Sequence, residues 1–414
     1  MIRSLRLALV LWAVCAPAGA QPLGQRGFVD TRGSFFPQDA PNDPENGVVD
    51  FLVREEGFFK PSSWIQFAAG VDLRASSHGQ VESAWRLDIS DRRTLRPALS
   101  VRRLSATVAR GPLTVDLGRQ FIRWGKADIV TPTDRFAPRD FLNVIDSEFL
   151  GVVGARGVLQ IGSETVDVVW VPRFTPSRTP LLGQRWTAVP AAPGPITLSD
   201  AGALLPSGSQ TGVRWSHTGG YEYSVSFFDG FNHLPNVDAE PVALGGIGIP
   251  LVVAVTRTYP TLRMYGADAA VPTRWFTLKG EAAYFTSSTP GTDEYVLYVV
   301  QLERQTGEWL LLGGYAGEAV TRREAAAAFA PDRGLTRSIT GRASYTIDPN
   351  RSAALETAIR QNGRGVYVKG EYSETRGGHW RATMAAALIR GDDADFLGQY
   401  RRNSNLSLAL RYSF

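Results

Sequence analysis

The last ten residues, Asn405 to Phe414 (NLSLALRYSF), constrain the fold of this chain more than any other stretch. Leu406, Leu408, Leu410, Tyr412 and Phe414 share one parity, and Asn405, Ser407, Ala409, Arg411 and Ser413 share the other. Successive side chains of a strand point to opposite faces, so this is an amphipathic strand with one continuous apolar face. Such a strand closes either a soluble sandwich or a membrane barrel, and the rest of the chain has to decide between them.

The amino-terminal end predicts export. Arg3 and Arg6 precede a short apolar run, Leu7 to Cys15, and Ala18-Gly19-Ala20 is a small-x-small site. We expect a signal peptide over residues 1–20, cleaved to leave residues 21–414 as one outer-membrane β-barrel with long loops. Cys15 raises the alternative of a lipoprotein, but Val14 before it is bulky and the cleavage site follows it, which favours simple cleavage. Cys15 is also the only cysteine, so the mature chain has neither disulfide nor thiol chemistry. After the signal there is no apolar run of about 18 residues, which excludes a transmembrane helix. The other way to span a bilayer is a closed barrel, whose backbone groups pair between strands. The formal charge of +4 excludes little, but the bases are scattered rather than clustered, which argues against a nucleic-acid partner.

From about Gly24 onward, strand-length segments alternate with turn residues, and long helical periodicity is absent. The segments run from Gln25–Phe36, Val48–Phe59, Trp64–Arg74 and Val81–Ile89 to Trp380–Arg390 and the closing strand, roughly 16 to 19 in all. Pro176 to Ser209 and Asn232 to Ala254 read as long irregular loops, and Thr321 to Gly334, with its AAAAFA run, as a loop with one or two helical turns. Single-chain bacterial barrels have an even number of strands, so at least one segment does not span, and 16 or 18 strands are expected. A propeller or solenoid would repeat a motif at fixed period, and none is present. Ten Trp and thirteen Tyr, many near segment ends, suit interfacial girdles. The fold class is therefore all-β: a transmembrane antiparallel up-and-down barrel. The closing strand with its terminal aromatic resembles the final strand of outer-membrane barrels, which makes Tyr412 and Phe414 the expected assembly signal.

With the apolar parity toward lipid, the other parity lines the lumen. That set includes Arg342, Glu356, Arg360, Lys369, Glu371, Arg381 and Arg411. Charge within a spanning element is costly unless it faces water or a partner, so these residues predict a wet, mixed-charge lumen with a basic lean, or charges that pair across strands and fill it.

Two apolar faces slip. Leu99 and Val101 hold one parity while Leu104, Ala106 and Val108 hold the other, which places a β-bulge at Arg102-Arg103. In the next strand, Leu113, Val115 and Leu117 share the parity of Arg119 and Arg123, and a second bulge would turn those arginines inward. The connector that follows, Gly125 to Asn143 (GKADIVTPTDRFAPRDFLN), carries three acids and three bases. Arg119, Arg123, Lys126, Arg135 and Arg139 interleave there with Asp128, Asp134 and Asp140. Such a segment cannot face lipid. It is expected to fold against the lumen wall, held by pairs drawn from these residues, as a fixed loop or a charged constriction. The stretch Leu117 to Leu142 resembles a group of large porin-like outer-membrane proteins, including alginate-export and other solute-specific barrels. Arg119, Gln120, Trp124 and Gly125 match the strand end of that pattern, and Asp128, Asp134 and Asp140 match its acidic positions. The resemblance implies a barrel and does not specify a substrate.

Catalysis is not expected. The chain has four histidines, His78, His217, His233 and His379, and no G-x-S-x-G or H-E-x-x-H motif. Ser216 and His217 are adjacent on a strand and point to opposite faces. No cofactor or metal is called for. The function expected is a passive outer-membrane channel for small polar or anionic solutes. Its partners would be outer-membrane lipid and lipopolysaccharide, the barrel-assembly machinery and the solute. The alternative is a plugged barrel serving an export or lipid-transport system.

Overall fold

The computed structural model describes residues 23–40, 43–128, 130–188, 196–243, 251–324, 328–362 and 364–414. The expected signal over residues 1–20 lies outside them. Eighteen antiparallel strands form one closed sheet. They are β1 Leu23–Phe35, β2 Gly47–Ser62, β3 Ile65–Ser76, β4 Leu99–Arg110, β5 Leu113–Gln120 and β6 Val152–Ile161. There follow β7 Glu164–Val171, β8 Gln210–Thr218, β9 Glu222–Phe231, β10 Thr261–Pro272, β11 Thr277–Thr286 and β12 Glu294–Thr306. The last six are β13 Trp309–Arg322, β14 Ser338–Asp348, β15 Arg351–Arg360, β16 Gly365–Arg376, β17 Trp380–Gly391 and β18 Asn405–Ser413. Each pairs with its sequence neighbour, and β18 pairs with β1 from Leu406↔Phe35 to Ser413↔Phe28. Among the expected segments, Val81–Ile89 is the one that does not span: Leu87–Asp88 pairs in parallel with β4 and Val81 bridges Arg96, within a loop.

Parity behaves as the closing strand requires. Leu406, Leu408 and Leu410 are 58%, 61% and 47% exposed on the outside, while Arg411 turns inward to Asp30 at 2.9 Å. A closed barrel with an outward apolar belt is stable in a bilayer and in no aqueous compartment, which places this chain in the bacterial outer membrane. The Phe414 N–H and C=O continue the ladder to Gly27, each bond 3.0 Å long.

The strand connections differ at the two ends. One end has short turns such as 111–112, 162–163, 307–308 and 349–350, and the other has the long connections 36–46, 77–98, 121–151, 172–209 and 232–260. Two of these, expected to be irregular, build a three-stranded sheet from Ile196–Leu204, Leu251–Thr258 and Asn236–Ala243. The strand-like stretch from Arg257 to Val271 is accordingly divided at Tyr259-Pro260, since Pro260 has no N–H to give a ladder. One helical turn, Pro331–Gly334, stands in the connection 323–337; part of the AAAAFA run lies outside the described residues.

The first parity slip is a bulge as expected: Gly70 pairs with Arg103 and Val71 with Val101, leaving Arg102 unpaired. The second is not. The register of β5 with β4 and β6 is unbroken. Gly118 instead takes φ +108°, a left-handed-side conformation that L side chains rarely adopt, and this rotates Arg119 inward without an extra residue.

Candidate functional site: a charged loop across the lumen

The connection 121–151 enters the barrel. Its apolar side chains Ile122, Trp124 and Phe136 pack on inward residues of the wall, among them Val169, Phe228, Met264 and Phe285. Trp124 meets Phe136 edge-on at 5.1 Å, and Phe136 meets Phe228 at 4.9 Å. The Trp124 indole N–H donates to Asp167 at 2.9 Å. The loop therefore carries a small core of its own, sealed against β6 to β12.

Polar contacts complete the anchoring. Glu281 of β11 accepts the N–H of Lys126 and Ala127 at 2.9 Å each, and the N–H and hydroxyl of Thr133 at 2.8 Å each. Asp134 accepts the N–H of Trp124 at 2.5 Å and of Gly125 at 2.7 Å, and pairs with Arg123 at 3.2 Å. Asp128 pairs with Lys279 at 3.1 Å and accepts from the Gln301 amide. Asp140 is bound by Arg96 at 2.8 Å and Arg178 at 3.0 Å. Burial raises the Asp140 carboxyl, but these two guanidiniums outweigh it and hold it down to about 2. Glu148, at the far end of the loop, accepts from Arg54, Arg74 and Arg102. Burial opposes its ionisation too, and the three arginines still hold it well below the ordinary carboxylate range.

Of the pairs expected inside the segment, Arg123 with Asp134 forms. The other bases find different partners. Arg119 is buried against Asp91 at 3.0 Å and the Ile89 carbonyl at 2.5 Å, fastening the connection 77–98 rather than its own loop. Lys126 pairs with Glu222, and Arg135 with Asp332 at 3.4 Å. Arg139 stacks on Phe149 at 4.2 Å, with Arg123 over the same ring at 4.2 Å. No carboxylate stands within 4.0 Å of Arg139 among the described residues.

The wall residues also separate. Arg342 pairs with Glu356 across β14 and β15 at 3.2 Å, and Lys369 lies 3.5 Å from Glu371 on β16. Arg360 is a clamp at the loop end: it holds Asp395 at 3.0 Å and the carbonyls of Gly334 and Thr336. Arg381 stands at the short-turn end opposite Arg411 in the β17–β18 register. Sequence reasoning missed Glu281, Lys279, Glu148 and Arg178. An isolated glutamate on an inward strand position carries no signal until the loop it receives is in place.

Between this loop and the inner wall of β13 to β16 lies a cavity of about 640 Å³. Asp134, Arg135 and Arg139 face Leu312, Arg342 and Tyr367 across it. Of the histidines, His233 is among the residues that line it. His233 is buried against the Thr175 carbonyl and stacked on Phe174 at 5.3 Å, and burial pushes its imidazole down to about 4. His217 pairs with Glu164.

A closed eighteen-strand barrel narrowed by an inward loop defines a class: the porin-like barrels of bacterial outer membranes. Solved structures agree on this fold. OpdK of Pseudomonas aeruginosa is similar at TM-score 0.53 and 8% identity, over 94% of this chain and 99% of that one. OccAB4 of Acinetobacter baumannii is similar at TM-score 0.52 and 10% identity, over 94% and 98%. OpdK with vanillate gives 0.51 and 9% identity, over 94% and 98%. No protein-family model and no curated protein matches the chain.

Proposed function

We propose that this chain is an outer-membrane channel for small polar solutes that favours anions, with the loop 121–151 as its constriction. One observation carries the preference. Five carboxylates line the cavity, Asp128, Asp134, Asp146, Asp332 and Glu356. Each is matched by a base: Lys279, Arg123, Arg32, Arg135 and Arg342 in turn. Lys279 is shared with Glu303, and Arg139 remains as a lining guanidinium with no carboxylate partner among the described residues, which leaves it to meet an anionic solute in the cavity. OpdK, a similar barrel, has been solved with vanillate, an organic anion, and the resemblance of residues 117–142 to solute-specific barrels is in keeping with the same reading. In planar bilayers under a salt gradient, the folded protein should give stepwise conductance with a reversal potential on the anion side. Arg139→Gln should move that potential toward neutral. Cation selectivity in the native protein would refute the reading.

A second reading is a plugged barrel that serves an export or lipid-transport system. It is favoured by the apolar packing at the long-loop end, where Phe36, Val48, Val144, Trp186, Leu397 and Tyr400 from separate segments form one cluster. Folded protein without conductance at any voltage, together with co-purifying envelope components, would select it.

A further inference from the structure

We propose that the short-turn end of the barrel holds a site for the phosphate of an anionic phospholipid head group, built from Arg274, Trp275 and Arg304. The outward face of β12 sets the depth. Tyr298, Val300 and Leu302 are 37%, 50% and 45% exposed on that face, as lipid-facing residues are. Arg304 continues the same parity one step further, about 7 Å along the strand. It stands in register with Leu311, and Thr306 with Trp309, so the aromatic belt lies immediately beyond it. The guanidinium thus leaves the apolar band where head-group phosphates begin. Short turns face the periplasm in barrels of this class, so the leaflet is the phospholipid one.

The other two residues come from the turn between β10 and β11. Trp275 is 60% exposed, with Arg274 5.2 Å and Arg304 5.9 Å from its ring. The turn is rigid. Thr273 bonds the Phe276 carbonyl through its N–H at 2.8 Å and its hydroxyl at 2.6 Å, and its hydroxyl accepts the N–H of Phe276 at 3.1 Å. Two guanidiniums are therefore presented beside one indole before any ligand arrives. Neither has a carboxylate partner among the described residues; the neighbouring acid, Glu303, points inward to Lys279 at 2.7 Å. A phosphodiester supplies the missing charge, and its acyl chains run along the Leu302 and Val300 ladder.

Native mass spectrometry of the full-length protein in detergent, with equimolar phosphatidylglycerol and phosphatidylcholine, tests this. Retained adducts should favour phosphatidylglycerol. Arg274→Gln/Arg304→Gln should lower that preference about tenfold. Arg110→Gln, at an exposed rim position on β4 with no ring contact to its guanidinium among the described residues, should leave it unchanged. Heat-modifiable migration confirms folding of each variant. Equal retention of the two lipids by the native protein overturns the proposal whether or not the variants fold. So does unchanged preference in the double variant, or saturable binding of inorganic phosphate without lipid preference.

Discussion

Glu281 accepts both donors of Thr133, the amide N–H and the hydroxyl, each at 2.8 Å, although the two residues stand 148 positions apart. With the N–H groups of Lys126 and Ala127 on its other oxygen, this one carboxylate seats the inward loop on β11.

Removing it should therefore act on the loop more than on the wall. Glu281→Ala leaves three loop N–H groups without a protein acceptor, at about 1–3 kcal/mol for each that stays dry. Glu281→Gln keeps one acceptor oxygen and should lose less. Single-channel recordings should show larger conductance and more open-channel noise in the order native, Gln, Ala. Identical traces from all three would remove Glu281 as the anchor.

Asp134 caps the chain where β5 gives way to the loop. Asp134→Asn retains one oxygen for the N–H groups of Trp124 and Gly125 but gives up the charge facing Arg123. Asp134→Ala gives up all three contacts. The expected loss is about 1 kcal/mol for Asn, since the Arg123 side chain is half exposed, and about 2–4 kcal/mol for Ala. The thermal midpoint of the heat-modifiable band measures both. A larger loss for Asn than for Ala would contradict the capping role.

At the seam, the Phe414 ring lies over Gly27. A Cβ at Gly27 would stand 2.6 Å from that ring and would collide with the Glu55 carboxylate. Deleting Phe414 and substituting Gly27→Ala should slow barrel closure alike, read as delayed appearance of the folded band in pulse–chase assembly. The double variant should be less severe than the sum of the two single ones, because both disturb the Phe414–Gly27 contact while the Glu55 clash belongs to Gly27→Ala alone. Normal assembly kinetics for the Phe414 deletion would end the assembly-signal reading.

Acid should weaken the long-loop end in two windows. His233 is buried neutral, with its value lowered to about 4, so the unfolded chain binds its proton first. Its contribution is complete above about pH 6.5 and falls away toward pH 4, by about 3 kcal/mol. Asp140 is held down to about 2. Its contribution is complete above about pH 4 and is lost as pH falls through about 2, by about 2–3 kcal/mol. Unfolding midpoints between pH 7 and pH 3 should decline in both ranges, and His233→Gln should flatten the upper one. A midpoint independent of pH from 7 to 4 would exclude the His233 contribution.

Arg119 shows where reading the chain stops. Its inward turn was legible, since lipid rejects an arginine on the face of Leu113 and Leu117. The means was not: Gly118 adopts a positive φ where a bulge was expected, and the residue pattern is the same for both. The ion partner was not legible either, because Asp91 lies in a charged turn, Asp91 to Arg96, that follows a segment read as a strand. Val81 to Ile89 alternates well enough to pair, but the barrel closes without it, and its segment is drawn inward by Arg119 and Arg178 instead.

By itself, the sequence determined what depends on the nearest neighbours along the chain. Parity set which face meets lipid, turn residues set the strand ends, and the charge of 125–143 excluded lipid and required the lumen. Only the tertiary structure decided which charges meet. Asp128 reaches Lys279 across 151 positions, and Lys126 reaches Glu281 across 155. In a closed sheet any inward position can face any other across the lumen, so pairing follows barrel diameter and loop path, which no local pattern encodes. The unmatched charge of Arg139 is a remainder of that global pairing, and it exists only once every other partner has been taken.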